Sequence, residues 1–398
     1  MSLEPCSRIV EMKKTNNLHI AFLDFDDLKN HLLSGGQARA TYEVAKRLVK
    51  QGHKVTIICS RYPGSRDYKK DGIAYKHIGL GTKNIKLNNA AYILSLPFTV
   101  HSFNCDVMIE CFTAPISTLF SPVFTNVPVI GMPTMFEAKE FAKKYHLPFD
   151  LVEAFGAKQY KYFLAYSPLN KKKMESLNPK IHTRIIPNGV DEAWFKVKGT
   201  EKNYAFFLGR IDIRQKSLDT LVQAATYLPK DYPVKIIIAG NGPTEEENAL
   251  RKMIQEKGVA NIVEFIGRVD GKKKEQLIAN CMFGLYPSRF EDFPLVPLEF
   301  TGMGKPIVCV DVNGLAWVTK DVSIKAKPGN AKSLAKALVE MATNKEKRTT
   351  LKKNARPFAK QYGWTNIAKQ YAEYCKEVVA LDSAAKAQAL KGGLSLSK

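Results

Sequence analysis

The feature that most constrains this sequence is an alternation that restarts once. Short apolar, β-prone runs take turns with helix-length amphipathic stretches from residue 18 onward. "LHIAFLDF" (18–25) leads into "GQARATYEVAKRLVKQGH" (36–53), where Ala40, Val44 and Leu48 recur at helical spacing. "KVTIIC", "IAYKHIGL", "DVMIE", "VPVIGM", "YFLAYS" and "TRIIPNG" continue the series to Gly189. A second series opens with "YAFFLGR" (204–210) and runs through "VKIIIAGNG", "VEFIGRV", "MFGLYPS" and "PIVCVDVNG". Strands alternating with helices predict parallel sheets covered on both faces, and the restart predicts two such units in tandem.

A chain of 398 residues is long enough for two cores, since single cores stop growing at roughly 250–300 residues. We expect an N-terminal domain over 17–188, a hinge near 186–203, and a C-terminal domain over 189–363. A last helix over 364–385 follows the second sheet. Residues 1–16 read as a disordered or tag-like tail and 386–398 as a flexible one. Ligands of such sheets bind at the carboxyl ends of the strands, so the cleft between the units is the expected site.

Seven cysteines with no C-x-x-C pair argue against a disulfide framework and a structural zinc site, and point to a reduced, cytosolic compartment. No apolar run has the roughly 20 residues needed to span a bilayer. The net charge of +22 is divided equally between residues 1–185 and the remainder. The basic residues are dispersed and form no nucleic-acid motif, so no specific nucleic acid is expected. An anionic membrane surface or a phosphate-bearing substrate suits the charge, and residues 50–86 are especially rich in Lys and Arg. The alternative is a non-enzymatic basic protein binding membrane or nucleic acid.

The densest chemistry lies in "SRFEDFPLVPLEFTGMGKP" (288–306). A strand ending in Pro-Ser runs into a helix whose first turn tolerates Pro297. The backbone N–H groups around Phe293, Pro294, Leu295 and Val296, with the positive end of the helix dipole, offer an anion site. Glu291 and Glu299 flank it. A carboxylate repels phosphate but accepts hydrogen bonds from hydroxyls, so the combination suits a diphosphate with polyols on either side: a nucleotide sugar.

Glu-x7-Glu followed by Gly-x-Pro and a short strand resembles the signature of retaining glycosyltransferases of the GT-B fold, the large family four. That resemblance implies an α/β fold of two Rossmann-like doubly wound domains facing a cleft, with a C-terminal helix crossing back to the N-terminal domain. By position it assigns the donor sugar to Glu291, the ribose to Glu299 and the diphosphate to 293–296. The family's usual Glu-Gly-Phe-Gly core is here "EDFP", with Asp292 and Pro294 replacing glycines. "FFLGRIDIRQKSLDTL" resembles the Gly-Arg…Lys-Gly segment and implies that Arg210 and Lys216 neutralise the diphosphate; Ser217 stands where glycine is common. "VEFIGRV" resembles the strand whose following backbone, Gly267, Arg268 and Val269, recognises the base. "SGGQARATYEVAKRLVKQGHKVTII" resembles the Gly-Gly loop entering a long helix, placing Gly35 and Gly36 against the donor phosphates.

A histidine that many members carry after the strand equivalent to "VPVIGM" is replaced here, with Thr134 or a neighbour in its place. Asp24 and Asp26 in "DFDD" form an Asp-x-Asp, which elsewhere binds a metal; an acceptor-side role beside Thr134 is the preferred expectation. The resemblance implies a metal-independent retaining transferase with no resident cofactor, using a UDP- or GDP-sugar and a glycan, lipid or lipid-linked hydroxyl acceptor. It would be cytoplasmic, with peripheral attachment to the inner membrane face as a further expectation. A nucleotide-sugar epimerase or hydrolase of the same fold is the competing enzymatic reading.

Overall fold

The computed structural model describes residues 17–32, 36–113, 120–135 and 138–395. The expected tail 1–16 and Gly35 lie outside them. The first half contributes β1 (His19–Leu23), β2 (Lys54–Ser60), β3 (Tyr68–Lys70), β4 (Ile73–Ile78), β5 (Val107–Thr113), β6 (Val129–Met135), β7 (Tyr162–Ala165) and β8 (His182–Ile185). They form one sheet in the order β3-β4-β2-β1-β5-β6-β7-β8. Every pairing is parallel except β3 with β4. The alternation predicted the parallel strands but not β3, a three-residue antiparallel edge whose "YKK" carries no apolar run.

The second half contributes β9 (Tyr204–Leu208), β10 (Lys235–Ala239), β11 (Val263–Phe265), β12 (Phe283–Tyr286), β13 (Ile307–Val310) and β14 (Ser323–Ala326). These make an all-parallel sheet in the order β11-β10-β9-β12-β13-β14. β9, β12 and β13 are buried along their whole length, as sheets covered on both faces require.

Helix Gly36–Lys50 buries Ala40, Val44 and Leu48 against the first sheet, as the spacing predicts. The opposite face of that sheet is covered by helices Ile85–Ser102 and Pro168–Leu177, through Tyr92, Leu96, Val100 and Met174. The last helix runs Trp364–Ser395 and packs on the first sheet's domain, burying Trp364, Ile367, Tyr371, Tyr374 and Val378 in its core. The helix runs on past 385, where we expected it to end, through 386–395.

The chain crosses between domains twice, and the two crossings are bonded together. Val190 donates to the Tyr362 carbonyl at 2.8 Å, and Trp364 donates back to the Val190 carbonyl at 3.1 Å. Glycine is obligatory at 189, where an added Cβ would stand 2.5 Å from the Trp364 ring. Arg47 of the first helix reaches Glu192 beyond the crossing at 2.7 Å.

Candidate functional site

The site is assembled at the carboxyl ends of β9 and β12 and faces helix Gly36–Lys50 across the cleft. Helix Leu295–Gly302 is seated on β12 by the absence of a side chain at Gly284, where a Cβ would stand 2.5 Å from the Phe300 ring. Pro294 precedes its first turn with no side-chain cap, so the amides of Leu295 and Val296 point out of the helix end. Pro294 and Pro297 have no N–H, which leaves fewer donors at this end than the four of an ordinary helix start. Phe293 is fixed between the domains. Its ring stacks on Trp317 at 4.2 Å between centroids, and its carbonyl accepts from Asn188 at 3.0 Å.

The N-terminus of helix Gly36–Lys50 meets this helix end across the cleft. A Cβ on Gly36 would lie 3.8 Å from Leu295 Cδ1, in ordinary contact. Two helix N-termini therefore converge, one from each domain, and both present positive dipole ends to the same space.

Lys216 is buried beside them and donates to the Glu291 carboxylate. Tyr286, the last residue of β12, accepts from Lys216 Nζ at 3.2 Å and donates to Glu291 at 3.1 Å, closing a three-membered network. The two family positions, 75 residues apart, are thus in contact, and Tyr286 joins them unannounced by any motif. Arg210 follows β9 with a mostly exposed side chain, held at 2.5 Å by Gln215 and at 3.9 Å by Asp212.

Glu299 sits one turn inside its helix. One of its oxygens accepts from Lys274 at 2.7 Å, while the other is buried without a hydrogen-bond partner. Burial raises its pKa, opposed by Lys274 and by Arg39 from the facing domain. An orphaned buried acceptor is costly unless something supplies a donor, and a ribose hydroxyl has the right chemistry. Lys274 was not singled out from the sequence.

On the base side, Gly267 takes a φ of +73° with open space where a Cβ would go, and its carbonyl accepts from Gly240 at 2.9 Å. Arg268 has an exposed side chain 3.6 Å from Asp270, and Val269 is buried in the C-terminal core, so of Val269 only the backbone can face a ligand.

The acceptor-side expectations are placed differently. Asp24 is fully buried and accepts from Thr41 Oγ1 at 2.5 Å and from the Asp26 amide at 3.2 Å; burial pushes its pKa up to about 6. Asp26 is also buried and accepts from the Asp27 amide at 2.9 Å. These carboxylates are hydrogen-bonded within and beside the loop after β1. Thr134 is half-buried near the end of β6. Among the described residues, no three His, Cys, Asp or Glu side chains are grouped as metal ligands.

Comparison with known proteins identifies the architecture. Residues 34–194 match the family described as Glycosyltransferase Family 4, and residues 190–358 match the one described as Glycosyl transferases group 1. The chain belongs to glycosyltransferase family four. Among solved structures, HepE of Anabaena in complex with UDP covers 90% of this chain and 100% of its own, with a TM-score of 0.71 at 18% identity. Sucrose-phosphate synthase of Thermosynechococcus elongatus aligns with a TM-score of 0.77 at 16% identity, covering 91% of this chain and 99% of its own. Both likenesses establish the GT-B fold for this family-four chain. In sequence, an uncharacterized glycosyltransferase of Methanocaldococcus jannaschii is 26% identical over 216 residues, 51% of this chain and 59% of its own. A D-inositol 3-phosphate glycosyltransferase of Corynebacterium urealyticum is 30% identical over 176 residues, 42% of this chain and 41% of its own. The chain spans about half the length of the curated relatives it matches.

Proposed function

We propose that this family-four protein transfers a sugar from a nucleotide-diphosphate sugar, a UDP- or GDP-sugar, to a hydroxyl of a glycan, lipid or lipid-linked acceptor, with retention of anomeric configuration. The observation that carries the reading is the meeting of two helix N-termini, Gly36 to Leu295, beside the Lys216–Glu291 pair. Helix ends and a buried lysine stabilise diphosphate, and the orphaned Glu299 oxygen suits a ribose hydroxyl. The Anabaena HepE structure was also solved with UDP-glucose, which supports a UDP-sugar as the first donor to test.

In the proposed reaction the acceptor hydroxyl attacks the anomeric carbon on the face the diphosphate leaves, and the leaving phosphate oxygen takes the hydroxyl proton. Arg210, Lys216 and the Leu295 and Val296 amides hold the charge that develops on the diphosphate, so the transfer needs no metal. Glu291 orients Lys216 and can accept from a hydroxyl of the donor sugar. Closure about the paired crossings at Val190 and Tyr362 brings acceptor and donor together and excludes water.

Calorimetry against UDP, GDP, ADP and TDP, with and without Mg²⁺, tests the donor site. Selective Mg²⁺-independent binding of one nucleotide, lost in Glu299→Ala, is the expected result. Binding of none overturns the proposal. Donor consumption without any acceptor favours the hydrolase or epimerase alternative instead.

A further inference from the structure

Helix Ile85–Ser102 is apolar on both sides. Tyr92, Leu96 and Val100 pack under the first sheet, while Leu87, Leu94 and Phe98 on the reverse side face outward, the last two 73% and 79% exposed. Large apolar side chains recurring at i, i+7 and i+11 on an outward helix face are not the pattern of a solvated helix. A second helix on the same face of the sheet repeats the arrangement. Phe149–Ala157 buries Ala157 in the same core cluster and turns Leu151 and Phe155 outward, 67% and 64% exposed. The two stripes are joined. Phe120 lies 6.0 Å from the Phe155 ring and begins the short segment whose Val123, itself exposed, packs beside helix Ile85–Ser102.

We propose that this ridge is a docking surface for an anionic phospholipid bilayer, into whose headgroup boundary the outward side chains insert. Charge selects this occupant. From Gly72 to Cys105 the sequence has no Asp or Glu, yet it carries Lys76, Lys83 and Lys86, and the last two are exposed at the start of the helix. Around the second stripe exposed Lys139, on the helix packed against Phe149–Ala157, and Lys158, just after it, outnumber the exposed Asp150 in its first turn. An apolar stripe edged by lysines is how a helix lies in an anionic interface. A second copy of the chain is the poorer occupant, because a two-fold contact sets the same basic rim against itself. Crossing is a different matter: among the described residues no helix is long and apolar enough to span a bilayer.

Strand polarity relates the ridge to the site. The helix links β4 to β5, which run parallel within the sheet, so its first turn lies at the carboxyl ends of the strands, on the cleft side. The lysine-bearing end of the ridge, at Lys83 and Lys86, therefore lies on the cleft side, where a lipid-borne hydroxyl could approach the site; this last clause rests on the transferase reading, while the docking does not.

Sedimentation with vesicles of equal parts phosphatidylglycerol and phosphatidylcholine tests it, using the full chain at low and high salt. The wild type is expected to pellet with these vesicles and far less with phosphatidylcholine alone. The L94E/F98E and L151E/F155E variants should each lose about tenfold in vesicle affinity. Lys83→Glu with Lys86→Glu should weaken binding and flatten its salt dependence. Nucleotide titration of every variant reports whether the fold is intact, and it separates failure of the docking from failure of the donor site. A wild type that stays in the supernatant at low salt overturns the proposal. So does unchanged pelleting of both apolar variants, or analytical ultracentrifugation showing a wild-type dimer that these substitutions convert to monomer.

Discussion

Lys274 and Glu299 stand 25 residues apart and meet at 2.7 Å, leaving the second Glu299 oxygen buried and without a donor. The lysine occupies one oxygen and leaves the other able to accept from a further donor. Removing the lysine in Lys274→Met should weaken nucleotide binding by about tenfold, which is about 1.4 kcal/mol. Lys274 also opposes the burial that raises the Glu299 pKa, so the variant's carboxyl should be protonated at higher pH than in the wild type. Calorimetry should accordingly find a larger affinity loss at pH 6 than at pH 8.

Tyr286 joins Lys216 to Glu291 through one hydroxyl. Tyr286→Phe keeps the buried ring and removes only that link. Turnover should fall about tenfold with little change in the donor KM, since a positioned charge loses its alignment more than its binding. Arg210→Ala removes a charge instead and should cost on the order of a hundredfold in turnover. Steady-state kinetics on the two variants distinguishes these roles, and an unchanged Arg210→Ala enzyme would take that residue out of the mechanism.

Ser217 adopts a left-handed backbone, φ +53° and ψ +38°, with its hydroxyl buried and unbonded. This accounts for glycine at the corresponding place in the family pattern, because only glycine enters that region without strain. Ser217→Gly should raise stability by about 1 kcal/mol, read as an increase in Tm.

Glu110 lies wholly buried in β5, accepting from Ser121 at 2.7 Å and from the Tyr160 hydroxyl, and burial pushes its pKa up to about 7. Its folded value lies above its unfolded one, so the native state holds the proton more tightly. The stability this contributes is complete below the unfolded value of 4.5 and is lost as pH rises through about 7. Glu110→Gln should abolish that loss and gain about 3 kcal/mol over the wild type on going from pH 4 to pH 8. Denaturant unfolding at the two pH values measures the difference.

The sequence announces β9, β12 and β13 because strands buried on both faces must be apolar throughout. β3 and β14 carry no such signature, since "YKK" and "SIKA" are short and partly polar and are held as strands by their neighbours. The same division runs through the site. Lys216 and Glu291 are legible because they sit beside strand ends in recognisable segments. Tyr286 reads as one more apolar strand residue, and Lys274 as one of three consecutive lysines on a surface helix. Their roles arise only from which partner the fold brings within reach. For Asp24 and Asp26 the Asp-x-Asp is conspicuous in sequence, whereas the bonds they make to Thr41 and to nearby backbone are not.

Tyr374 hydrogen-bonds the Phe163 amide and carbonyl, 211 residues earlier, along with the His182 carbonyl. The first sheet is therefore finished by a helix that follows the whole second sheet in the sequence, whereas the second is built from one unbroken run, 204–326. During synthesis, the domain of the first sheet is thus completed after that of the second. Until Trp364 and Tyr374 arrive, the face of its sheet beneath helix Gly36–Lys50 is only partly covered, and the apolar surface left open at that nascent stage is what a chaperone would bind.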